Sequence, residues 1–340
     1  MSGGKADKTR PGEFELIAEL FAPLARDAAG AFGLTDDAAL YRAAPGMETV
    51  LTVDAMVEGV HFLPSDPPET VAQKLLRVNL SDLAAKGARP CGYLLVTALP
   101  RDCPMSWLEG FAAGLAEDQS AFGLSLWGGD TVSTPGPLTL SLTAIGEVTS
   151  GTMLPRGGGK PGDAIYVSGT IGDAGLGLTV LKDGFPSASD ADRAFLAGRY
   201  RLPEPRVALG QAVAGIARAG LDVSDGLVAD LTHMCEASGC TATIHAADVP
   251  LSPAAAAALV ADKDVTFATL LTGGDDYELL LAVPPEEDAA FLAAAAGAEV
   301  PVARIGHMEE GPIRPGEGPV RVLDSQGDPI VLSTAGFRHF

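Results

Sequence analysis

The chain has 340 residues, enough for two domains, and its 47% hydrophobic and 20% charged content excludes a disordered or fibrous protein. Acidic side chains number 44 against 23 basic ones, a formal net charge of −21. That surface repels phosphate backbones and anionic lipid, so nucleic acid and membranes are not expected partners. In chain order, the polar start MSGGKADKTRPGEFEL lacks the apolar run of a signal peptide. Leu16, Ile17, Leu20, Phe21 and Leu24 keep helical spacing and predict an amphipathic helix over 13–27. ETVLTVDAMV (48–57) predicts a strand, and a helix opens at Pro68 and runs to about Lys86, where Gly87 stops it. YLLVTAL (93–99) reads as a buried strand, 104–122 as a helix and PLTLSLTAIGEV (137–148) as an alternating strand. The Gly- and Pro-rich EVTSGTMLPRGGGKPGD sets the expected boundary between domains 1–150 and 151–340. The second half restarts with strand AIYVSG and helices from about 173, 188 and 206. Strand-like segments follow near 220–224, 241–245, 277–283 and 302–305, separated by helical stretches such as 226–237 and 285–296. The expectation is an α/β (α+β) protein with both halves built alike. Two short echoes point to duplication: Leu80-Ser81-Asp82-Leu83 against Val223-Ser224-Asp225-Gly226-Leu227, and Gly128-Gly129-Asp130 against Gly273-Gly274-Asp275.

Cys91, Cys103, Cys235 and Cys240 form no C-x-x-C pair and read as reduced, mostly buried thiols. The longest apolar stretch, Ala254 to Ala261, is far too short to span a bilayer, so the expected location is the cytoplasm.

The chemistry lies in the aspartates. Asp36-Asp37, Asp54, Asp82, Asp130, Asp222, Asp225 and Asp275-Asp276 fall at predicted strand ends, helix starts or glycine turns. Any one of them alone reads as a cap or turn residue. Asp82, between Leu80 and Leu83 in a helical stretch, needs a partner or a metal. Brought together, carboxylates repel by about 4 kcal/mol per close pair at an effective dielectric of roughly 20, so convergence requires cations. Oxygen-only ligation suits Mg²⁺, which joins one or two carboxylates to substrate phosphates and water. An Asp-rich, Lys-poor site therefore points to a metal-bridged polyphosphate. Competing nucleotide motifs are missing: Gly157-Gly158-Gly159-Lys160-Pro161 has proline where a P-loop needs a hydroxyl, and no kinase H-R-D, D-F-G or G-x-S-x-G elbow occurs. Arg156 and Lys160 either hold phosphate or are linker charges. The run Ser168–Gly177 either cradles phosphate through backbone N–H groups or serves close packing. His61 and Phe337, each taken alone, read more readily as structural residues than as ligand contacts.

The segments Asp36-Asp37-Ala38-Ala39, Asp54-Ala-Met-Val-Glu-Gly-Val-His61-Phe62, Asn79-Leu-Ser-Asp82-Leu-Ala-Ala-Lys-Gly87-Ala-Arg-Pro90, Gly128-Gly129-Asp130-Thr131, Asp222-Val-Ser224-Asp225-Gly226-Leu227 and Gly273-Gly-Asp275-Asp276-Tyr277-Glu278-Leu279 together resemble the thiamine-monophosphate kinase family. That family lies in the aminoimidazole-ribonucleotide-synthetase-like superfamily. Each motif is modest, but their order and spacing run from about residue 13 to the C-terminus and are jointly specific. The resemblance implies ATP-dependent phosphorylation of thiamine monophosphate to thiamine diphosphate, the final step of thiamine diphosphate biosynthesis. It implies N-terminal domains that pair in a homodimer, with Mg²⁺ as cofactor and ATP as co-substrate. Carried over by motif, Asp37, Thr52, Val53 (through its carbonyl), Asp54, Asp82, Asp130, Asp222 and Asp225 would hold Mg²⁺. Gly129, Asp130, Arg156 and Ser224 would contact ATP, and His61, Asp275 and Phe337 would face the thiamine phosphate. Four positions depart from the family pattern. Thr35 stands where glycine usually precedes the acidic pair, and Val53 replaces a hydroxyl residue. Asp275 is shorter than the usual glutamate, and Phe337 lacks the polar tip of the usual tyrosine or tryptophan.

A phosphate monoester with a second pKa of about 6 is already largely a dianion at neutral pH, so the acceptor needs no general base. The expectation is direct in-line transfer without a phosphoenzyme, with Asp54, Asp130 and Asp222 acting through metal and no residue acting as acid or base. Two other readings stand beside it: a superfamily relative that uses ATP to activate another oxygen, and a non-catalytic acidic nucleotide- or cation-binding protein. Retention of every core aspartate argues against the second.

Overall fold

The structure, a computed structural model, describes residues 12–185, 188–311, 318–332 and 336–337. Residues 1–11, which carry most of the reading against a leader, lie outside them. The chain divides into two compact units, one formed by the chain through Leu80 with Arg89–Glu147, the other by Ser81–Ala88 with the chain from Val148 onward.

The first unit corrects the predicted helix over 13–27. Helix α1 (Glu13–Leu16) passes at once into a π-helical turn, Ile17–Phe21, and a 3-10 turn, Ala22–Ala25. Pro23 is the reason, because it has no N–H to donate and its ring crowds the carbonyl one turn earlier. Strand β1 (Met47–Val57), α2 (Pro68–Ala85), β2 (Arg89–Pro100), α3 (Met105–Phe122), β3 (Ser125–Thr134) and β4 (Thr139–Thr149) follow. They make a four-stranded sheet of order β1-β4-β2-β3. Strand β3 runs parallel to β2, as the α3 crossover requires, and β4 is antiparallel to β2. Alternation along β2 buries Tyr93, Leu95, Thr97 and Leu99; Leu75 and Leu76 of α2 and Leu108, Phe111 and Leu115 of α3 are buried too. On β2 the alternate residues, Leu94 (37% exposed) and Val96 (40%), are equally apolar, and so are the exposed Leu51 and Val53 of β1 and Val132 of β3.

Strand β3 is a second correction, since Gly128-Gly129-Asp130 reads as a turn and lies mid-strand. Glycine is a poor strand former, but here no other residue fits: a Cβ on Gly129 would lie 1.8 Å from Leu95 O.

The second unit contains β5 (Ala164–Ser168), α4 (Asp173–Leu181), α5 (Asp190–Arg201), α6 (Val207–Val213), β6 (Ala219–Asp222), α7 (Leu227–Ser238) and β7 (Thr241–His245). It continues with α8 (Pro253–Ala261), α9 (Phe267–Thr272), β8 (Leu279–Val283), α10 (Asp288–Gly297), β9 (Val302–Glu309) and β10 (Val320–Leu323). The sheet order is β10-β7-β9-β5-β8-β6, antiparallel except where β10 joins β7. Both faces are covered. Ile165, Val167, Leu221 and Leu280 pack with Leu231 and Met234 of α7, while Tyr166, Leu279 and Leu281 pack with Leu209 and Val213 of α6 and Phe291 of α10. Coverage on both sides explains why β5 and β8 read as unbroken apolar runs.

The mixed α/β class stands, but the halves are not built alike. Residues 80–83 lie inside a helix whereas 223–227 form a strand-to-helix turn, and 128–130 lie in a strand whereas 273–275 form a loop. The matching dipeptides therefore do different structural work and carry no argument for duplication. All four cysteines are free, with Cys103, Cys235 and Cys240 buried. Among the described residues no helix is long and apolar enough to cross a membrane.

Candidate active site

In the first unit, the chain turns through Phe32, Gly33 and Leu34, all at positive φ, and presents Asp36 and Asp37. Thr35 donates its hydroxyl to Phe32 O at 2.7 Å, and Asp37 N–H donates to Asp36 Oδ1 at 2.8 Å. Leu40 N–H returns to Gly30 O at 2.8 Å, closing the loop. This loop and strands β2 and β3 wall a cavity of about 590 Å³ whose lining includes Asp37, Tyr41, Trp127, Gly129 and Asp130. Three site residues more than ninety positions apart at the extremes thus border one space. Strand register does the positioning, with Asp130 opposite Val96 on β2.

Thr52, Val53 and Asp54 are successive residues of β1. Asp54 N–H donates to the buried Asn79 Oδ1 at 3.2 Å, and its carbonyl accepts from Ser141 Oγ at 3.2 Å. Val53 turns its side chain outward. His61 follows in the turn after β1, where Val57 N–H donates to His61 Nδ1 at 3.0 Å and Lys74 Nζ donates to His61 O at 3.2 Å. With Nδ1 accepting, the ring proton sits on Nε2, so His61 in this form is a neutral imidazole and not a base at Nδ1.

In the second unit, Asp222 ends β6 and is 8% exposed. Ser81, at the last turn of α2, donates its hydroxyl to Asp222 Oδ2 at 2.6 Å. The following turn is held from behind by Asp230 of α7: Oδ2 accepts from the N–H groups of Ser224, Asp225 and Gly226 at 2.9, 3.0 and 3.2 Å. Burial pushes the Asp230 carboxyl up to about 7, against those three donors. Gly226 has φ +118 and a Cβ there would lie 2.9 Å from Thr272 O, so glycine is required by both conformation and space.

A second loop, Gly273–Glu278, is zipped to this turn. Asp275 N–H donates to Ser224 O, Tyr277 N–H to Val223 O and Val223 N–H to Glu278 O, each at 2.8 Å. Asp275 and Tyr277 take positive φ (72° and 52°), which is why β8 begins at Leu279 and not at 277. The residues between and after them point into the core. Asp276 accepts from the N–H groups of Gly172 and Ala174 at 2.7 and 3.1 Å. Glu278 takes Ser168 Oγ at 2.6 Å, Arg199 at 2.9 Å and both Arg206 Nε and Nη2 at 2.7 and 2.6 Å. Phe337 N–H donates to Asp225 O at 3.0 Å, and its half-exposed side chain therefore leaves from the same framework.

These bonds correct the phosphate-cradle reading of Ser168–Gly177. Gly172 and Ala174 N–H are taken by Asp276, Gly169 N–H by Pro301 O and Ile171 N–H by Pro250 O. Those four donors are spent within the fold, and close packing is what Gly177 serves: a Cβ there would lie 2.0 Å from Leu196 O. The 157–160 loop is likewise internally bonded, through Gly159 N–H to Ser238 Oγ and Lys160 N–H to Asp163 Oδ2. Lys86, whose Nζ donates to Gly220 O at 2.8 Å, feels the charges of Asp222, Arg156 and Asp82.

Sequence reasoning missed Ser81, Lys86, Asp230, Asp276 as an anchor, and Glu278. Glu278 alone carried a readable sign: a carboxylate leading into Leu279-Leu280-Leu281 cannot be buried without cations. Among the described residues, no group of three His, Cys, Asp or Glu side chains is gathered closely enough to cage an ion. The carboxylates stand singly or in pairs, all-oxygen donors in the number Mg²⁺ takes when phosphates and water complete its shell.

Residues 35–148 match the family described as AIR synthase related protein, N-terminal domain, and residues 160–314 its C-terminal domain. A thiamine-monophosphate kinase of Caulobacter vibrioides is 49% identical over 303 residues, covering 88% of this chain and 85% of the relative. The crystal structure of thiamine-monophosphate kinase from Stenotrophomonas maltophilia K279a is similar at 37% identity and TM-score 0.80, covering 92% of this chain and 96% of that one. The structure of AaThiL complexed with AMPPCP and TMP matches at 30% identity and TM-score 0.76, covering 98% of this chain and all (100%) of that one.

Proposed function

Because this chain belongs to the thiamine-monophosphate kinase family, we propose that it transfers the γ-phosphoryl group of ATP to thiamine monophosphate, giving thiamine diphosphate and ADP. The observation that carries this reading is the locked pair of loops 222–226 and 273–278, whose mutual backbone bonds set Asp222, Ser224, Asp225 and Asp275 on one frame. AaThiL, a relative of nearly the same length, has AMPPCP and TMP as its complexed ligands, which supports the same pair of substrates here.

The residues divide the work as follows. Asp37, Asp130 and Gly129 border the first unit's cavity, and with Thr52, Asp54 and the Val53 carbonyl they would hold Mg²⁺ and nucleotide phosphate. Asp82, Asp222 and Asp225 supply the second unit's metal oxygens. When bound, Mg²⁺ neutralises phosphate charge so that two anions can approach. Ser224 has its N–H and C=O committed to Asp230 and Asp275, so its hydroxyl is the group it would offer to nucleotide, and Arg156 would supply a positive charge to the same phosphates. Asp275 and the Phe337 ring would attract the cationic thiazolium of the acceptor. His61, neutral with its proton on Nε2, donates a hydrogen bond to the acceptor and removes no proton. The acceptor dianion attacks in line without a base.

The exposed apolar face of Leu51, Val53, Leu94, Val96 and Val132 supports pairing of two first units in a homodimer, since such faces seek a partner.

The test is an assay with γ-labelled ATP and Mg²⁺ comparing thiamine monophosphate, thiamine and no acceptor. Labelled thiamine diphosphate formed from the monophosphate alone, and lost with EDTA, is the expected result. ADP without a thiamine product would move the chain to another ATP-dependent reaction of the superfamily. Label retained on denatured protein would overturn direct transfer.

A further inference from the structure

One half-buried cation of the second unit, Lys86, has no part in the transfer described above. Lys86 follows the end of α2, one helical turn beyond Asp82, and its N–H donates to Asp82 O at 3.2 Å. Its Nζ reaches across to Gly220 O on β6 at 2.8 Å, two residues before Asp222. Ser81, on the other side of Asp82, makes the parallel link to Asp222 Oδ2 at 2.6 Å. The two segments that carry Asp82 and Asp222 are therefore pinned together at two points. The fit between them is close: a Cβ on Gly220 would lie 3.2 Å from Ala85 O and 2.9 Å from Leu281 Cδ2.

The surroundings of Lys86 are unusual for a lysine. Burial lowers its pKa, Asp222 and Asp82 pull it back up, and Arg156 pushes it down. An ammonium anchored two residues from Asp222 and one helical turn from Asp82 offsets the repulsion between their charges, and the same ammonium repels any divalent ion that those carboxylates attract. Mg²⁺ tolerates little departure from octahedral geometry, so what fixes the carboxylates and what charge sits behind them both govern its binding.

We propose that Lys86 is a resident counter-charge and positioning residue beside Asp82 and Asp222, tying the two segments that carry them together before the metal arrives and setting the Mg²⁺ concentration at which the site fills. The inference rests on the metal reading given under the proposed function. It assigns opposite signs to two neighbours: the Lys86 charge opposes divalent binding, and the Ser81 hydrogen bond favours it.

The experiment titrates the full-length protein with Mn²⁺, following the free ion by electron paramagnetic resonance, and with Mg²⁺, following the shift in thermal midpoint. Lys86→Met removes the charge and keeps an unbranched stem, Lys86→Gln is a second neutral variant, and Lys86→Arg keeps the charge. The neutral variants are expected to bind Mn²⁺ about tenfold more tightly and to gain more thermal stabilisation from Mg²⁺ than wild type. Lys86→Arg is expected to stay within about twofold of wild type, and Ser81→Ala to bind more weakly. Neutral variants with a lowered thermal midpoint but unchanged or weaker Mn²⁺ affinity would show a merely structural lysine and overturn the proposal. A wild-type protein that binds no Mn²⁺ at all would overturn the metal reading beneath it, an outcome distinct from the first.

Discussion

The two units present their candidate site carboxylates in different ways. In the first, Asp37 and Asp130 are exposed, and what places them is loop closure and strand register: Leu40 tied to Gly30, and Asp130 opposite Val96. The sheet that carries Asp130 leaves an apolar face to solvent. In the second, Asp222 at the end of β6 and Asp225 and Asp275 on the loops beside it are backed by a buried polar layer of Ser81, Asp230, Asp276 and Glu278, and the sheet is covered on both faces. One unit is an open surface and the other a self-supporting frame. A site on an open surface needs a neighbour to shield it from water, whereas a site on a braced frame is organised in advance, which is where electrostatic stabilisation is most effective.

The largest expected effect comes from breaking the frame. Glu278 is fully buried and holds Arg199 and Arg206. Removing the carboxylate leaves two largely buried guanidinium groups without their shared anion, a loss of about 3–5 kcal/mol. Urea denaturation of Glu278→Ala is expected to show that loss, with Glu278→Gln intermediate because it keeps an acceptor. An unchanged midpoint for Glu278→Ala would mean that Glu204, which also pairs with both arginines, suffices to hold them.

A smaller effect is expected from the open surface. Val96 is 40% exposed on the apolar face of the first unit, and in the proposed homodimer lysine there would add a desolvation cost once per protomer across the two-fold interface. Sedimentation velocity is expected to show Val96→Lys dissociating at least about tenfold more readily than wild type, with the thermal midpoint lowered by no more than the weakened association brings, because the residue lies outside the core. A wild-type protein that sediments as a monomer at all concentrations would remove the dimer and leave the exposed face unexplained.

What could be read before the structure follows from how local each interaction is. Asp222, Asp225 and Gly226 announce themselves because a strand-to-helix turn with a left-handed position selects Gly and Asp within a few residues. Ser81 does not, since its role appears only when α2 meets β6, 141 residues away by the Ser81–Asp222 bond. The frame around Glu278 needs partners 79 and 72 residues earlier. Gly128-Gly129 misled because the close approach to Leu95 that demands glycine is a property of the sheet and not of the segment. The stripe over 13–27 identified a helical run and its buried side chains Leu16, Phe21 and Leu24, but not the change from α to π and 3-10 turns that Pro23 imposes. Strand β10, four residues long, is too short for periodicity to distinguish.

The smallest effect, and the one that tests the frame most finely, is its pH dependence. Asp276 ionises at about 3.9 in an unfolded chain, whereas in the fold burial pushes it up to about 8, outweighing the Gly172 and Ala174 donors, with Asp173 raising it further and Arg199 opposing. A carboxyl whose folded pKa is raised binds a proton more readily in the native state. Its contribution to stability is therefore complete below the unfolded value and is lost as pH rises through the folded one. Asp230, pushed up to about 7, acts in the same direction over a lower range, so the interval from roughly pH 7 to 9 isolates Asp276. Urea midpoints are expected to fall across that interval, by no more than about 1.4 kcal/mol per pH unit from this one group. Asp276→Asn, which keeps one acceptor for the α4 N-terminus and cannot titrate, is expected to flatten the fall. If the wild-type midpoint is already flat there, Asp276 is ionised in the native state, its charge held by the Gly172 and Ala174 donors and the positive end of α4. The loop that presents Asp275 would then be fastened by an ion–dipole contact, stronger than the neutral hydrogen bond expected at neutral pH.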